Sequence, residues 1–199
     1  YSLGLAEAFK TEFERQGGKI LAELEYEQED ADFSALVARL KELDPDVFFV
    51  PGHDESGHIV KQAQDVGLRA VLLGGDGWNG RDFFTKGGQE LKKAYYTANW
   101  AWDVDTPAST RFVEAYLKVY PEVTEFAVLA YDAFTLLADA IRRAGAPDRK
   151  LVRDALAATR DFEGVTGRIT MAGKGDPVKS AVVLTITDGK VSTYRVASP

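Results

Sequence analysis

DPDVFFVPG, residues 44–52, sets Val47, Phe48, Phe49 and Val50 in one apolar run between two prolines. A run so short and so continuously apolar reads as a strand buried on both faces, which is how strands of a parallel sheet between helices look. Pro45 ends what precedes it, because the residue before a proline is pushed out of the helical region, and Pro51-Gly52 ends the strand. Upstream, Asp32 to Leu43 carries Phe33, Leu36, Val37 and Leu40 at helical spacing. Downstream, Glu55 or Ser56 to Val66 forms a helix capped by Gly67, and Ala70 to Leu73 is a second buried strand. Strand, helix, strand in that order implies a right-handed crossover and parallel pairing, hence an α/β fold with flanking helices.

The rhythm extends in both directions and then fails. Ser2 to Gln16 is an amphipathic helix with Leu3, Leu5, Ala6, Phe9 and Phe13 near helical spacing, stopped by Gly17-Gly18, and Lys19 to Tyr26 follows as a strand. Ala94 to Trp100 is a further strand. Three helices come next, Pro107 to Tyr120, Phe126 to Ala144 and Lys150 to Thr159, with little strand between them. The middle helix has almost no polar face before Arg142, so it expects wide cover. Ala181 to Thr187 and Lys190 to Val196 close the chain as two strands joined by Asp188-Gly189, a hairpin signal. The first helix has no strand feeding it and the later helices have no sheet of their own. The expectation is the later part of a two-lobed protein; a single compact domain, with all helices on one sheet, is the alternative.

Composition narrows the function. The 199 residues are 45% hydrophobic and 28% charged, an ordinary globular balance. A net charge of −7 and the lack of a Lys/Arg cluster argue against nucleic acid. No apolar stretch approaches the roughly 20 residues that cross a bilayer, so no direct membrane insertion is expected. The absence of cysteine removes disulfides, thiolate metal sites and a cysteine nucleophile. A chain opening on Tyr1 rather than methionine has been processed, trimmed or taken from a longer polypeptide.

One loop invites a ligand. LLGGDGWNG, residues 72–80, puts Asp76 just past the C-terminal end of a central strand, the edge where open parallel sheets bind their ligands. Asp76 either faces such a ligand or occupies a turn and caps the helical turn near Asn79. The segment HDESGH, residues 53–58, holds both histidines of the chain. Their i, i+5 spacing does not put both on one helical face, so no metal is expected. They are alternatively surface residues at a helix start, with Asp54 and Glu55 favourable to its dipole. Ser56 lies near His53 and Asp54, but no GxSxG elbow surrounds it, and neither GxGxxG nor GxxxxGK occurs, so neither catalysis nor a nucleotide cofactor is implied.

Five stretches taken in order carry a family likeness: YSLGLAEAFKTEFERQGGKI, DFSALVARLKELDPDVFFVPG, KQAQDVGLRAVLLGGDGW, FAVLAYDAFTLLADAI and DFEGVTGRITMAGKGDPVKSAVVL. Together they resemble the periplasmic leucine/isoleucine/valine-binding proteins, the substrate-binding components of branched-chain amino acid ABC transporters, without their first part. The resemblance implies a type I periplasmic-binding-protein architecture of two α/β lobes joined by three crossovers, closing on the ligand like a hinge. It places 1–102 in the second lobe, 103–162 in helices returning to the first, and 163–199 in a crossover and the C-terminal hairpin of the second. It implies that Asp76 faces the α-ammonium of an amino acid, that Tyr1 lies at the ligand, and that Phe126 lines the pocket from the first lobe. Trp78 either roofs the cleft or packs on the lobe surface. His53 stands where many members carry a ligand-touching tyrosine, which makes this wall more polar and opens the ligand range to polar side chains. The implied partners are a small-molecule ligand and a membrane permease. The implied location is periplasmic or extracellular, with a lipid anchor ahead of Tyr1 left open. A ligand-sensing receptor ectodomain of the same fold and a flavodoxin-like enzyme are the alternatives.

Overall fold

Val47–Val50 (β1) and Val71–Gly74 (β2) pair in parallel from Val47↔Val71 to Val50↔Gly74, and Lys93–Ala98 (β3) continues the parallel set through Leu72↔Ala94. Ala181–Thr187 (β7) and Lys190–Ala197 (β8) complete a five-stranded sheet in the order β1-β2-β3-β7-β8. This computed structural model describes residues 1–103, 106–173 and 175–198; Val104, Asp105, Lys174 and Pro199 lie outside them.

Helices cover the sheet where the apolar spacing directs them. Ser56–Asp65 (α3) connects β1 to β2 and buries Ile59, Val60 and Ala63 completely, each Ile or Val of that kind contributing about 1.5–3 kcal/mol. Ser34–Leu43 (α2) buries Val37 and Leu40 and ends at Asp44, whose left-handed φ of 42° lets the chain turn before Pro45. Ser2–Arg15 (α1) lays Phe9 flat on Phe49 of β1, ring centroids 4.4 Å apart. Between β2 and β3 come a 3₁₀ turn at Asp76–Asn79, the short helix Arg81–Thr85 (α4) and a second 3₁₀ turn at Gly88–Glu90.

Two expectations change here. Residues 19–26, read as a strand, lie in neither sheet. They are held by side chains instead: Lys10 pairs with Glu23, and Tyr26 bonds to Glu55. β1 is consequently an edge strand, and of its four residues only Val50 is fully buried, so the apolar run is not covered on both faces.

By its contacts the chain divides into two compact units, Tyr1–Ala98 with Val183–Tyr194, and Asn99–Val182 with the residues from Arg195 onward. The chain therefore passes between them three times. The second unit contains Pro107–Tyr116 (α5), Glu125–Ala144 (α6) and Arg149–Ala157 (α7), capped respectively by Thr106, Thr124 and Asp148 side chains. These helices do have strands beside them: Phe162–Gly164 (β4), Gly167–Met171 (β5) and Pro177–Val178 (β6) form an antiparallel three-stranded sheet. Trp100, Phe112, Val123, Val128 and Val165 make the core of this unit, with the Trp100 indole N–H donating to Ser109 Oγ at 2.9 Å. α6 keeps Val128, Asp132 and Ala140 inside, while Phe126, Tyr131, Phe134, Leu137 and Ile141 remain exposed.

Candidate ligand site

Both loops that follow parallel strands β1 and β2 open at the same end of the sheet, and the first residues of α1 join them. β1 leads into Pro51–Glu55 and β2 into Gly75–Gly80. The two loops touch backbone to backbone. A Cβ on Gly77 would stand 2.4 Å from the Gly52 carbonyl oxygen, so only glycine permits the approach.

Three of the residues singled out from sequence meet here. The Tyr1 hydroxyl donates to Asp76 Oδ1 at 2.5 Å and accepts from the Gly77 backbone N–H at 2.9 Å. The Tyr1 ring stacks on the His53 imidazole with centroids 4.3 Å apart and planes 20° from parallel. Asp76 is half-buried, His53 and Tyr1 exposed, so a carboxylate, a phenol and an imidazole present themselves together to solvent. Asp54 reaches across to the end of the second loop: a Cβ on Gly80 would lie 3.2 Å from its Oδ1. A half-buried carboxylate beside a phenol is suited to an ammonium, through a charge-assisted hydrogen bond worth about 1.5–3 kcal/mol.

Trp78 and Phe126 lie elsewhere. Trp78 is wholly buried, stacked on Phe83 at 4.7 Å and seated over Gly74, where a Cβ would meet its ring at 2.2 Å. With no accessible face it roofs nothing; it fixes the loop that carries Asp76 from beneath. Phe126 belongs to the second unit, on the first turn of α6, and is 82% exposed.

Sequence reasoning passed over the group behind the His53 loop. Glu55, 4% exposed, accepts from the His53 backbone N–H and from the Tyr26 hydroxyl, both at 3.0 Å on Oε1. Burial, and then the charge of Glu55, push the Tyr26 phenol above the usual tyrosine range, which keeps it the donor. An acidic residue at a helix start looks like a dipole partner, and nothing in its spacing distinguished it from one. Asp132 was missed likewise: in the second unit it accepts from Val165 N–H at 2.6 Å, Thr166 N–H at 2.8 Å and Thr166 Oγ1 at 2.7 Å. Burial lowers the Lys179 ammonium there, while the charges of Asp132 and Glu125 oppose the shift.

Residues 1–190 match the family model described as periplasmic binding protein. A Leu/Ile/Val-binding protein homolog of Brucella melitensis is 31% identical over 181 residues, covering 88% of this chain and 48% of that protein. The leucine binding protein LivK of Thermotoga maritima superposes with a TM-score of 0.91 at 31% identity, over 100% of this chain and 57% of that one. The branched-chain amino acid transporter substrate binding protein LivJ of Streptococcus pneumoniae, solved with isoleucine, gives 0.84 at 35% identity, over 98% and 56%. The chain spans about half the length of the curated relatives it matches. The parallel sheet, the loops at its C-terminal edge and these matches lead to one assignment: the chain belongs to the periplasmic binding protein family, with the type I fold.

Proposed function

We propose that this chain carries part of the ligand grip of an extracytoplasmic solute-binding protein that delivers an amino acid to the permease of an ABC transporter. The observation that carries this reading is the Tyr1, Asp76 and Gly77 hydrogen-bond group at the C-terminal edge of the parallel sheet, with His53 stacked beside it. Asp76 takes the ligand ammonium. Tyr1 orients the carboxylate and shields one side of it. His53 and Asp54 face the ligand side chain and extend the range from aliphatic to polar amino acids. The first unit then corresponds to the second lobe of a two-lobed protein, and α5 to α7 belong to the first lobe, where Phe126 contributes an apolar wall. Closure of the lobes is driven by contacts that exist only in the closed state. The binding role of the relatives supports capture without chemistry.

Isothermal titration of the full-length protein with L-leucine, L-isoleucine and L-histidine tests this. Saturable binding of at least one of them, lost in Asp76→Ala, is the expected result. Undiminished binding in Asp76→Ala removes Asp76 from the site.

A further inference from the structure

We propose that Glu55 is the positioning residue of the site, a buried carboxylate that sets the His53 loop against Tyr1 and Gly77 without touching the ligand; this rests on the amino-acid-binding reading above. A carboxylate at 4% exposure is costly to bury, and it persists only where donors compensate it. Glu55 has two on a single oxygen, the His53 N–H and the Tyr26 hydroxyl, each at 3.0 Å. The first fixes the backbone of the residue whose ring stacks on Tyr1; the second anchors the carboxylate to the segment 19–26. Gly52, one residue before His53, leaves no room for movement: a Cβ there would meet the Tyr26 hydroxyl at 2.2 Å and Glu55 Oε1 at 2.6 Å.

The Gly52 carbonyl is in turn the atom against which Gly77 rests, and the Gly77 N–H donates to the Tyr1 hydroxyl that holds Asp76. Displacing Glu55 therefore shifts both walls together: His53 directly, and Asp76 through Gly52, Gly77 and Tyr1. The segment 19–26, which belongs to no sheet, gains a purpose in this scheme, since Tyr26 is the clamp that keeps Glu55 aimed at the loop.

The test has two readouts on the full-length protein. The first is the His53 ring-proton resonance in the ligand-free state, shifted upfield by the Tyr1 ring and identified by its return toward the free-histidine position in Tyr1→Leu. The second is affinity, read with whichever of L-leucine, L-isoleucine and L-histidine binds. In Glu55→Ala the upfield shift is expected to vanish and affinity to fall by about tenfold or more, the consequence of leaving the loop donors unsatisfied. Glu55→Gln, which keeps an acceptor oxygen in the same place, restores the resonance and most of the affinity. An unmoved His53 resonance in Glu55→Ala, or a Gln variant as impaired as the Ala variant, overturns the proposal. If Glu55→Ala does not fold, Glu55→Asp gives the same decision, because it keeps the charge and withdraws the carboxylate by one methylene. Should none of the three bind the wild-type protein, the functional reading falls while the resonance still decides on Glu55.

Discussion

At the scale of single residues, the Tyr1 hydroxyl is the joint between the first helix and the loop after β2. It donates to Asp76 and accepts from Gly77, so Tyr1→Phe keeps the His53 stack and removes both bonds. At about 1 kcal/mol for each such bond, Tyr1→Phe should lower the melting temperature by a few degrees, and L-leucine affinity measured by titration calorimetry should fall as well because Asp76 loses the hydroxyl that orients it. Tyr26 yields a prediction of a different kind, one that depends on pH. Its folded-state pKa is raised by burial and by Glu55, so the folded protein holds the phenolic proton more tightly than the unfolded chain. Its contribution is complete below the unfolded tyrosine value near 10 and is lost as pH rises above it. Denaturant unfolding at increasing pH should show this loss in the native protein, and Tyr26→Phe should flatten it.

At the scale of elements, the turn between β4 and β5 hangs on one side chain of α6. Asp132 accepts from Val165 and Thr166, and Gly164 leaves it no slack, a Cβ there lying 2.7 Å from Oδ2. Asp132→Ala strands these buried donors and leaves Lys179 facing one carboxylate fewer, which should cost about 2–4 kcal/mol in urea unfolding. The elements themselves were largely legible. DVFFV between two prolines, the spacing of Phe33, Val37 and Leu40, and Asp188-Gly189 at the hairpin all declared local structure through local physics. Residues 19–26 did not, because a strand is defined by its partner, and alternation along one segment says nothing about whether a neighbour is there to pair with it. β4 to β6 escaped for a related reason: strands of two to five residues are too short to show a period. Asp76 could be picked out as a loop acid past a strand, whereas Glu55 and Asp132 act through hydrogen bonds to residues 2 to 34 positions away, and only the fold brings those partners together.

At the scale of the whole molecule, the proposed capture requires two bodies and a ligand that joins them. Small-angle scattering of the full-length protein should show a smaller radius of gyration on adding L-leucine, and the change should be absent in Asp76→Ala; equal radii with and without a saturating ligand would end the closure model. The division of the chain has a further effect that concerns its manufacture. β7 is hydrogen-bonded beside β3 in the middle of the five-stranded sheet, yet it leaves the ribosome about 80 residues later, several seconds at ordinary synthesis rates. Through that interval β3 presents a bare row of backbone donors and acceptors to whatever strand arrives first. Until β7 emerges that edge stays open to any other strand, and a product cut short before β7 would keep it open for good, a hazard of mispairing rather than of weakened binding.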